Sequence, residues 1–211
     1  MSHLSDIRKE YLKGSISVES MPSNPLEALK AWVDQAIESK VHEPTAMNIA
    51  TVSAEGKPSA RMVLLKEIQA EGLVFFTNYS SKKGRELALN PHVAVTFFWP
   101  ELERQIRVEC TAQKISPEES DHYFYSRPKG SQAGAIVSMQ SSQIDSARNL
   151  ESEIEQLLNS EESLKRPIHW GGYLLIPNYF EFWHGRASRV HDRVSYQLSD
   201  EKIWQKSRLS P

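Results

Sequence analysis

The chain has 211 residues, of which 39% are hydrophobic and 25% are charged, and its formal net charge at pH 7 is -2. This length suits one sizeable domain with a full hydrophobic core. The slightly acidic balance argues against a general nucleic-acid-binding protein, so an anion site would need locally clustered Lys and Arg. The sequence has no apolar run of membrane-span length and no signal-peptide core, and its single cysteine, Cys110, cannot form an intrachain disulfide. We therefore expect a cytoplasmic protein that binds neither nucleic acid nor a membrane.

Residues 1–22 are polar and lack a sustained periodicity, which is typical of a flexible terminal segment. A helix is predicted to begin after Asn24, because this capping residue is followed by Pro25 and by Glu27, which would complete a capping box. To about residue 40, apolar residues recur at helical spacing, namely Leu26, Leu29, Trp32, Val33, Ala36 and Ile37. This stripe predicts that one face of the helix packs on a core.

From residue 45 onward the pattern is that of strands interrupted by helices. Strands are predicted over 46–53, 59–68, 73–78, 92–99, 105–115 and 172–183, around residue 189, and over 203–206. Helices are predicted over 81–89, after a serine cap, over 117–125, where Ser116, Pro117 and Glu119 form a capping box, and over 130–137 and 147–158. The links are mostly short and the two element types do not alternate regularly, which favours an antiparallel sheet closing into a barrel. The expected fold class is mainly β with peripheral helices (α+β), with residues 23–211 as a single domain.

Three potential cations, Arg189, His191 and Arg193, occupy alternate positions after a small-residue turn at 185–188. If this segment is an extended strand, their side chains share one face. Such a cluster favours an anionic or electron-rich ligand over them. The alternative is a solvated edge strand, with Asp192 as a counter-charge from the opposite face.

Two lysines, Lys82 and Lys83, follow Ser81 at the start of a predicted helix. Cations in a first turn oppose the helix dipole by about 0.3–1 kcal/mol each, and a phosphate bound to the free N–H groups would remove the conflict. The alternative is a solvent-exposed helix start, where salt screens the repulsion.

Arg61 and Lys66 lie near the two ends of a run of apolar residues in a predicted strand. A separation of five residues places them on opposite faces of a regular strand, so they would address two anions, or one anion if a bulge intervenes. The alternative is a pair of solvated side chains at the strand ends.

A further basic group contains Tyr123, Arg127 and Ser131. Tyr123 and Arg127 are four residues apart on one helical face, and Pro128 disfavours helix at Arg127, so a turn would bring Ser131 to the same pocket. A phenol, a guanidinium and a hydroxyl together suit a phosphate monoester.

Several separate cation groups in an acidic chain favour two small phosphorylated aromatic ligands over one long polyanion. The sequence contains no Walker-type loop, no dinucleotide glycine fingerprint and no serine-nucleophile elbow. Its seven histidines lack metal-ligand spacing, so no metal site is predicted.

Ten short stretches together resemble the pyridoxamine 5′-phosphate oxidase family. They follow the family's order at compatible spacings over nearly the whole chain: 8–11, 61–66, 76–78, 81–83, 103–105, 123–128, 140–142, 181–183, 189–193 and 208–211. Two positions depart from the commonest motif, because Phe76 stands where a tyrosine is usual and Lys82 where an arginine is usual. Lys82 keeps the charge but cannot make a bidentate phosphate contact.

The resemblance implies a split-barrel homodimer with FMN at the subunit interface, which oxidises pyridoxamine 5′-phosphate and pyridoxine 5′-phosphate to pyridoxal 5′-phosphate and reduces O2 to H2O2. By position, the FMN contacts would be Arg61, Met62, Val63, Leu64, Leu65, Lys66, Phe76, Thr77, Lys82, Lys83, Gln105, Gln140, Ser141, Trp183 and Arg193. The substrate phosphate would contact Lys66, Tyr123, Arg127 and Ser131. The pyridine ring would lie against Arg189, Val190 and His191, and residues 1–22 would form a lid that reaches the substrate through Arg8, Lys9, Glu10 and Tyr11.

The implied reaction is hydride transfer from the substrate carbon to flavin N5, with the protein supplying position and electrostatics. Arg189 and His191 are the expected catalytic residues. His191 is a candidate proton acceptor, but an orienting role is favoured because binding an aromatic ring requires no proton transfer. The rival interpretations are a non-catalytic FMN-binding split-barrel protein and a flavin oxidoreductase with another substrate. The separate phosphate clamp argues against both.

Overall fold

The computed structural model describes residues 3–6, 10–145, 148–160 and 163–211. The chain divides into two compact units. Unit 1 comprises Met1–Ile49, Ala94–Cys110 and Pro177–Pro211, and unit 2 comprises Ala50–Val93 and Thr111–Ile176.

The described residues contain nine strands and five α-helices. The strands are β1 (Ala46–Val52), β2 (Pro58–Leu64), β3 (Glu67–Gln69), β4 (Gly72–Asn78), β5 (His92–Trp99), β6 (Arg104–Lys114), β7 (Trp170–His184), β8 (Asp192–Leu198) and β9 (Trp204–Arg208). The helices are α1 (Pro25–Glu38), α2 (Lys82–Leu89), α3 (Pro117–Ser126), α4 (Lys129–Val137) and α5 (Leu150–Asn159). Short 3₁₀ turns occur at Leu4–Asp6 and Ala187–Arg189.

The strands form one sheet in the order β2-β1-β5-β6-β7-β4-β3, and β8 pairs with β7 and β9. Four of these pairings, β3 with β4, β4 with β7, β7 with β8 and β8 with β9, are antiparallel. The predicted mainly β arrangement with peripheral helices is therefore confirmed.

Two of the predicted strands differ from the structure. The strand predicted over 59–68 is broken at Leu65 and Lys66, so that β2 ends at Leu64 and β3 begins at Glu67. The strand predicted around Arg189 is wrong, because a 3₁₀ turn ends there and β8 begins only at Asp192. Helix α5 begins at Leu150, and the first predicted residue of that helix, Ala147, lies outside the described residues.

Two helix starts show how the local sequence sets the element boundaries. The side chain of Asn24 caps α1, but it accepts from the N–H of Leu26, and the reciprocal contact predicted for Glu27 is not formed. At α3 the predicted capping box is confirmed, because Ser116 Oγ accepts from Glu119 N–H at 3.1 Å and the Glu119 carboxylate accepts from Ser116 N–H at 3.0 Å.

Each unit has its own buried aromatic cluster. In unit 1, Phe182 and Tyr196 are fully buried and Trp32 of α1 lies edge-on to Phe182 with ring centroids 5.1 Å apart. In unit 2, Phe75 is fully buried and stacks on Tyr173 at 5.7 Å. Large buried rings of this kind contribute both apolar area and specific ring-to-ring geometry.

Cys110 of β6 is only 3% exposed, and burial, with the Glu109 charge as a smaller cause, raises the pKa of its thiol. A protonated, enclosed thiol behaves as a small apolar side chain. Across the described part of the chain, no helix is both long enough and apolar enough to cross a membrane.

Candidate active site

An open cavity of about 690 Å³ lies within unit 2. Its walls come from the end of β2 and the residues after it, from β4 and α2, and from the α3–α4 region. The lining residues are Met62, Val63, Leu64, Lys66, Phe76, Thr77, Asn78, Lys83, Tyr123, Arg127, Pro128, Ser131, Gly134, Ala135, Ser138, Gln140 and Trp170. A concave site of this size with a few convergent polar groups is typical of a small-molecule site.

The cavity carries three cations, Lys66, Lys83 and Arg127, and none of its described lining residues is an aspartate or a glutamate. Such an excess of positive charge is unfavourable in the free protein, because like charges repel more strongly in a concave, partly desolvated site. An anionic ligand would relieve that repulsion.

Lys83 is the most enclosed of these cations, with 7% exposure. Its Nζ donates to Gln140 Oε1 at 2.8 Å and to Thr77 Oγ1 at 2.9 Å, both neutral acceptors. Burial, with the charge of Arg61 as a second cause, lowers the pKa of Lys83 to about 8. A phosphate at this position would supply the counter-charge that the amide and the hydroxyl do not.

Close packing at the start of α2 places Lys83 beside the cavity. Ser81 caps the helix by accepting from Gly84 N–H at 3.2 Å. A Cβ at Gly84 would lie 2.2 Å from the carbonyl oxygen of Tyr79, so only glycine permits this approach. The predicted serine cap is therefore confirmed, and the first turn contains no acidic residue.

Arg127 follows the last residue of α3 in an extended conformation (φ -75°, ψ 151°), as Pro128 requires of the residue before it. The central carbon of its guanidinium lies 4.7 Å from the ring centroid of Trp170 and 6.0 Å from that of Phe124. Its Nη1 is buried without a hydrogen-bond partner, and burial lowers the pKa of Arg127. A buried, unsatisfied guanidinium nitrogen in a cavity is a feature of an anion site.

An aromatic wall runs beside these cations. The ring of Phe76 stacks on Tyr123 at 3.9 Å and on Trp170 at 5.5 Å, with interplanar angles of 19° and 14°. Burial raises the pKa of Tyr123, so its phenol stays protonated and remains a hydrogen-bond donor at neutral pH.

Arg61 and Lys82 do not line this cavity and instead bracket a buried carboxylate, Glu86. Arg61 donates to Thr51 Oγ1 and to Ser59 Oγ, each at 2.6 Å, and its Nη2 lies 3.4 Å from Glu86 Oε2. Lys82 Nζ lies 3.5 Å from Glu86 Oε1. Burial opposes ionisation of Glu86, but the hydrogen bonds from Thr51 and Ser59, together with the charges of Lys82 and Arg61, outweigh it and lower its pKa.

The predicted catalytic residues lie in unit 1, on a turn and not on a strand. Ser188 and Arg189 adopt left-handed conformations (φ 56° and 60°), and Val190 N–H donates to the Ala187 carbonyl. Successive side chains therefore do not alternate between two faces, and the predicted shared face of Arg189, His191 and Arg193 is wrong. Both Arg189 and Val190 are exposed.

The N-terminal segment contacts this turn through Tyr11. Its ring lies 5.6 Å from that of Trp183 and 5.7 Å from that of His191, and the Trp183 and His191 rings are 4.7 Å apart. A Cβ at Gly185 would lie 2.6 Å from Tyr11 Cγ, so the absence of a side chain there lets Tyr11 pack.

A buried carboxylate, Glu103, anchors the same segment by accepting from the N–H groups of Leu12 at 2.7 Å and Lys13 at 2.9 Å. Glu10 is exposed. Arg8 and Lys9 lie outside the described residues, and the lid function of the segment stays a prediction.

The predicted residues thus fall into two groups, one in each unit. Unit 2 holds Arg61, Met62, Val63, Leu64, Leu65, Lys66, Phe76, Thr77, Lys82, Lys83, Tyr123, Arg127, Ser131, Gln140 and Ser141, and unit 1 holds Glu10, Tyr11, Gln105, Trp183, Arg189, Val190, His191 and Arg193. In unit 2, all but Arg61, Leu65, Lys82 and Ser141 line the cavity.

Sequence reasoning missed six of the lining residues: Asn78, Pro128, Gly134, Ala135, Ser138 and Trp170. Pro128 and Asn78 adjoin predicted site residues, and Pro128 was already recognised as a residue that disfavours helix at Arg127. Trp170 carried no such signal, because it contributes through contacts that are distant in the sequence.

The fold and the site define a mainly antiparallel β protein with a cation-lined, aromatic-walled cavity suited to phosphorylated aromatic ligands. Residues 33–160 match the family described as pyridoxamine 5′-phosphate oxidase, and residues 170–211 match the pyridoxine 5′-phosphate oxidase C-terminal dimerisation region. The chain belongs to the pyridoxamine 5′-phosphate oxidase family. The split-barrel fold expected from the resemblance is thereby confirmed.

Similar proteins are known at full length. The chain is 50% identical to the pyridoxine/pyridoxamine 5′-phosphate oxidase of Mannheimia succiniciproducens, with 100% of both chains covered. It is 49% identical to the protein of the same name from Neisseria gonorrhoeae, with 99% of each covered. Among solved structures, PhzG from Burkholderia lata, in complex with tetrahydrophenazine-1-carboxylic acid, has a TM-score of 0.88 at 30% identity, covering 92% of this chain and 96% of that one.

Proposed function

We infer that this chain is an FMN-dependent oxidase that converts pyridoxamine 5′-phosphate and pyridoxine 5′-phosphate to pyridoxal 5′-phosphate. The alcohol and O2 give the aldehyde and H2O2, and the amine additionally consumes water and releases ammonia. Full-length relatives named for this activity at about half identity support the inference. The family's dimerisation region at residues 170–211 supports a homodimer.

The observation that carries the proposal is the set of three cations in a cavity whose described lining has no carboxylate. We assign the substrate phosphate to Lys66, Tyr123, Arg127 and Ser131, all of which line the cavity. The buried, unsatisfied Nη1 of Arg127 supports this assignment, because a phosphate oxygen would supply the acceptor that it lacks. Fixing the phosphate also fixes the reacting carbon of a small rigid substrate.

The chemistry of the remaining residues fits FMN. Lys83, Thr77 and Gln140 form a hydrogen-bonded group at the cavity wall, and the enclosed Lys83 lacks a carboxylate partner among the described residues. We propose that these three, with Arg61 and Lys82 beside them, hold the flavin phosphate. When FMN is bound it supplies the redox chemistry, namely hydride removal from the substrate and reduction of O2 to H2O2.

Arg189 and His191 are proposed to orient the pyridine ring. His191 Nδ1 accepts from Arg186 N–H at 3.1 Å, so the neutral ring carries its proton on Nε2. Nε2–H is then a donor toward a ligand and not a base. This geometry supports the orienting role over the proton-acceptor role.

We also propose that residues 1–22 act as a lid and that residues 23–211 serve as one flavin-binding domain. The contacts of Tyr11 with Trp183 and His191 support the first proposal. A cytoplasmic location is proposed from the reduced state expected of a lone, enclosed cysteine.

An anaerobic titration tests the proposed function. The purified protein reconstituted with FMN should lose its visible flavin absorbance on addition of pyridoxamine 5′-phosphate, and admission of O2 should restore the absorbance with formation of H2O2. Unphosphorylated pyridoxamine at the same concentration should bleach the flavin far more slowly, because the phosphate clamp then has no ligand. Flavin absorbance that is unchanged by pyridoxamine 5′-phosphate and also by pyridoxine 5′-phosphate would refute the oxidase assignment.

A parallel titration addresses the rival interpretation of another flavin-linked substrate. The PhzG structure contains a tricyclic carboxylic acid, so a tetrahydrophenazine carboxylate is the matched competitor. We expect little bleaching by this compound, because it lacks a phosphate for Lys66 and Arg127. Faster bleaching by the carboxylate than by pyridoxamine 5′-phosphate would favour the rival.

A further inference from the structure

We propose that Trp170 is a positioning residue for the substrate phosphate. Its indole face holds the Arg127 guanidinium in the cavity, whereas most enclosed arginines are held by a carboxylate. The inference rests on the proposed function. It adds a residue that was not among the predicted contacts of the substrate or of FMN. Trp170 opens β7, lines the cavity and is 7% exposed.

The geometry of the pair is that of a cation over an aromatic face. The guanidinium carbon of Arg127 lies 4.7 Å from the Trp170 ring centroid, inside the range of about 6 Å over which the ring quadrupole attracts a cation. No carboxylate among the described residues forms an ion pair with Arg127, and burial lowers the pKa of its guanidinium. The ring faces of Trp170 and Phe124 therefore hold this side chain where an ion pair would otherwise do so.

An aromatic face suits this task better than a carboxylate would. A carboxylate would cancel the charge and occupy the N–H groups that a phosphate needs, whereas a ring attracts the cation and leaves the donors at the guanidinium edge free. The partnerless Nη1 agrees with this arrangement. Arg127 is thus held in place and keeps its capacity to bind an anion.

Trp170 is itself fixed by its backbone to the helix that precedes Arg127. Its carbonyl accepts from Arg166 Nη1 at 2.7 Å, and Arg166 Nε donates to Asp121 Oδ1 of α3, also at 2.7 Å. Arg166 therefore connects the ring-bearing strand to the helix whose end carries the guanidinium. The ring of Phe76 stacks on the indole, with ring centroids 5.5 Å apart.

The test compares Trp170→Leu with Trp170→Phe in the FMN-loaded enzyme. Replacing the ring by Leu should raise KM for pyridoxamine 5′-phosphate and the inhibition constant of inorganic phosphate about tenfold, because the cation loses its quadrupole partner. Phe keeps an aromatic face, so Trp170→Phe should raise both constants only about threefold. The value of kcat and the dissociation constant of FMN, measured by flavin fluorescence, should stay within about twofold of wild type.

A double-mutant cycle shows whether Trp170 acts through Arg127. In an Arg127→Ala background, Trp170→Leu should change KM by less than about twofold, because the group that it positions is absent. Trp204→Leu is the matched control, since Trp204 packs on Phe180 in unit 1 and lies outside the cavity. It should leave KM and the phosphate inhibition constant unchanged.

Three results would overturn the inference. They are additive effects of Trp170→Leu and Arg127→Ala on KM, an unchanged KM in Trp170→Leu, and a loss of FMN affinity as large as the rise in KM. If Trp170→Leu fails to fold, Trp170→Phe carries the test alone, and a wild-type KM for that variant together with additivity would refute the proposal. Failure of the proposed function gives a different pattern, in which wild type does not oxidise pyridoxamine 5′-phosphate. Calorimetric binding of inorganic phosphate to wild type and variants still decides the role of Trp170 in that case.

Discussion

Two arginines in the two units are held in opposite ways. In unit 1, Arg193 Nε lies 2.9 Å from Glu181 Oε1 and its Nη1 donates to the Ser210 carbonyl at 2.7 Å. The hydrogen bond to Glu181 raises the pKa of Arg193. In unit 2, Arg127 has ring faces and no carboxylate, and burial lowers its pKa. The Arg193 guanidinium is therefore held by a counter-charge, and the Arg127 guanidinium is held without one.

This difference separates an arginine held by a carboxylate from one whose charge is open to a ligand, and the predicted FMN contact of Arg193 stays a prediction. Removing one member of an enclosed ion pair leaves a desolvated charge and destabilises the fold. An arginine kept without a counter-ion already destabilises the free protein, and this strain is relieved when an anion binds. The two sites should therefore respond to mutation with opposite changes in stability.

Substitution of Arg127 should give the largest effect. In Arg127→Met, kcat/KM for pyridoxamine 5′-phosphate should fall about 100-fold, because a charge-assisted contact to the phosphate is lost. The free energy of unfolding of the apoprotein should rise by about 0.5 kcal/mol, since an uncompensated charge is removed and Met still packs on the indole. Steady-state kinetics and urea unfolding at fixed protomer concentration measure the two changes.

Lys129→Met is the control for this variant, because Lys129 is a nearby exposed cation that does not line the cavity. It should change neither kcat/KM nor stability appreciably. A loss of stability in Arg127→Met would show that Arg127 is a structural residue and would remove the contrast with Arg193.

Substitution of Glu181 should give the next largest effect, now on stability. Glu181 is 3% exposed and lies 2.9 Å from both Arg193 Nε and Arg107 Nη1. In Glu181→Ala the free energy of unfolding should fall by about 2 kcal/mol, a moderate value for an ion pair because both arginines retain contact with water. Urea unfolding of the apoprotein measures the change.

Asp34→Ala provides the comparison for an exposed pair. Asp34 pairs with Lys30 at 2.7 Å on the surface of α1. This variant should lose about 0.5 kcal/mol or less, as expected for a solvated i,i+4 pair. Equal losses at Glu181 and Asp34 would contradict the structural role given to the buried carboxylate.

The smallest expected effect concerns pH and Lys83, whose pKa is about 8 in the fold and 10.5 ordinarily. Lys83 loses its charge as pH rises through 8, so FMN affinity of the apoprotein should fall about tenfold between roughly pH 7 and 9. The free energy of unfolding should instead rise with pH. Between these two pKa values the unfolded chain still binds a proton that folded Lys83 has lost, so a higher pH favours the folded state. Flavin fluorescence titrations across this range measure the affinity.

Lys83→Arg sharpens this prediction, because a guanidinium keeps its charge throughout the range. The FMN affinity of that variant should vary much less with pH than the affinity of wild type. A wild-type affinity that is flat between these pH values would refute the assignment of Lys83 to the flavin phosphate.

Local sequence signals predicted some parts of the site well. The capping box of Ser116 and Glu119 and the stop signal of Pro128 define α3, so Tyr123 and Arg127 could be placed together before the fold was known. The serine cap at Ser81 likewise located Lys83. These signals succeed because capping and proline restriction act within one turn of helix.

Other parts depended on information that no local pattern carries. Arg189 was predicted on a strand because alternate cations fit that period, but left-handed backbone at Ser188 and Arg189 forms a turn instead. Trp170 was missed because its partner Arg127 lies 43 residues earlier in the chain, and only tertiary packing joins them. A single sequence gives element type more readily than it gives contacts between elements.

The enclosure of Cys110 has a chemical consequence for an enzyme that releases a peroxide at every turnover. Peroxides react with thiolates and hardly with thiols, and access to the sulfur also limits the reaction. Because Cys110 is covered and its pKa is raised, its sulfur is kept in the unreactive form. The chain therefore has no accessible cysteine that its own by-product could convert to a sulfenic acid, and repeated catalysis should not inactivate it by that route.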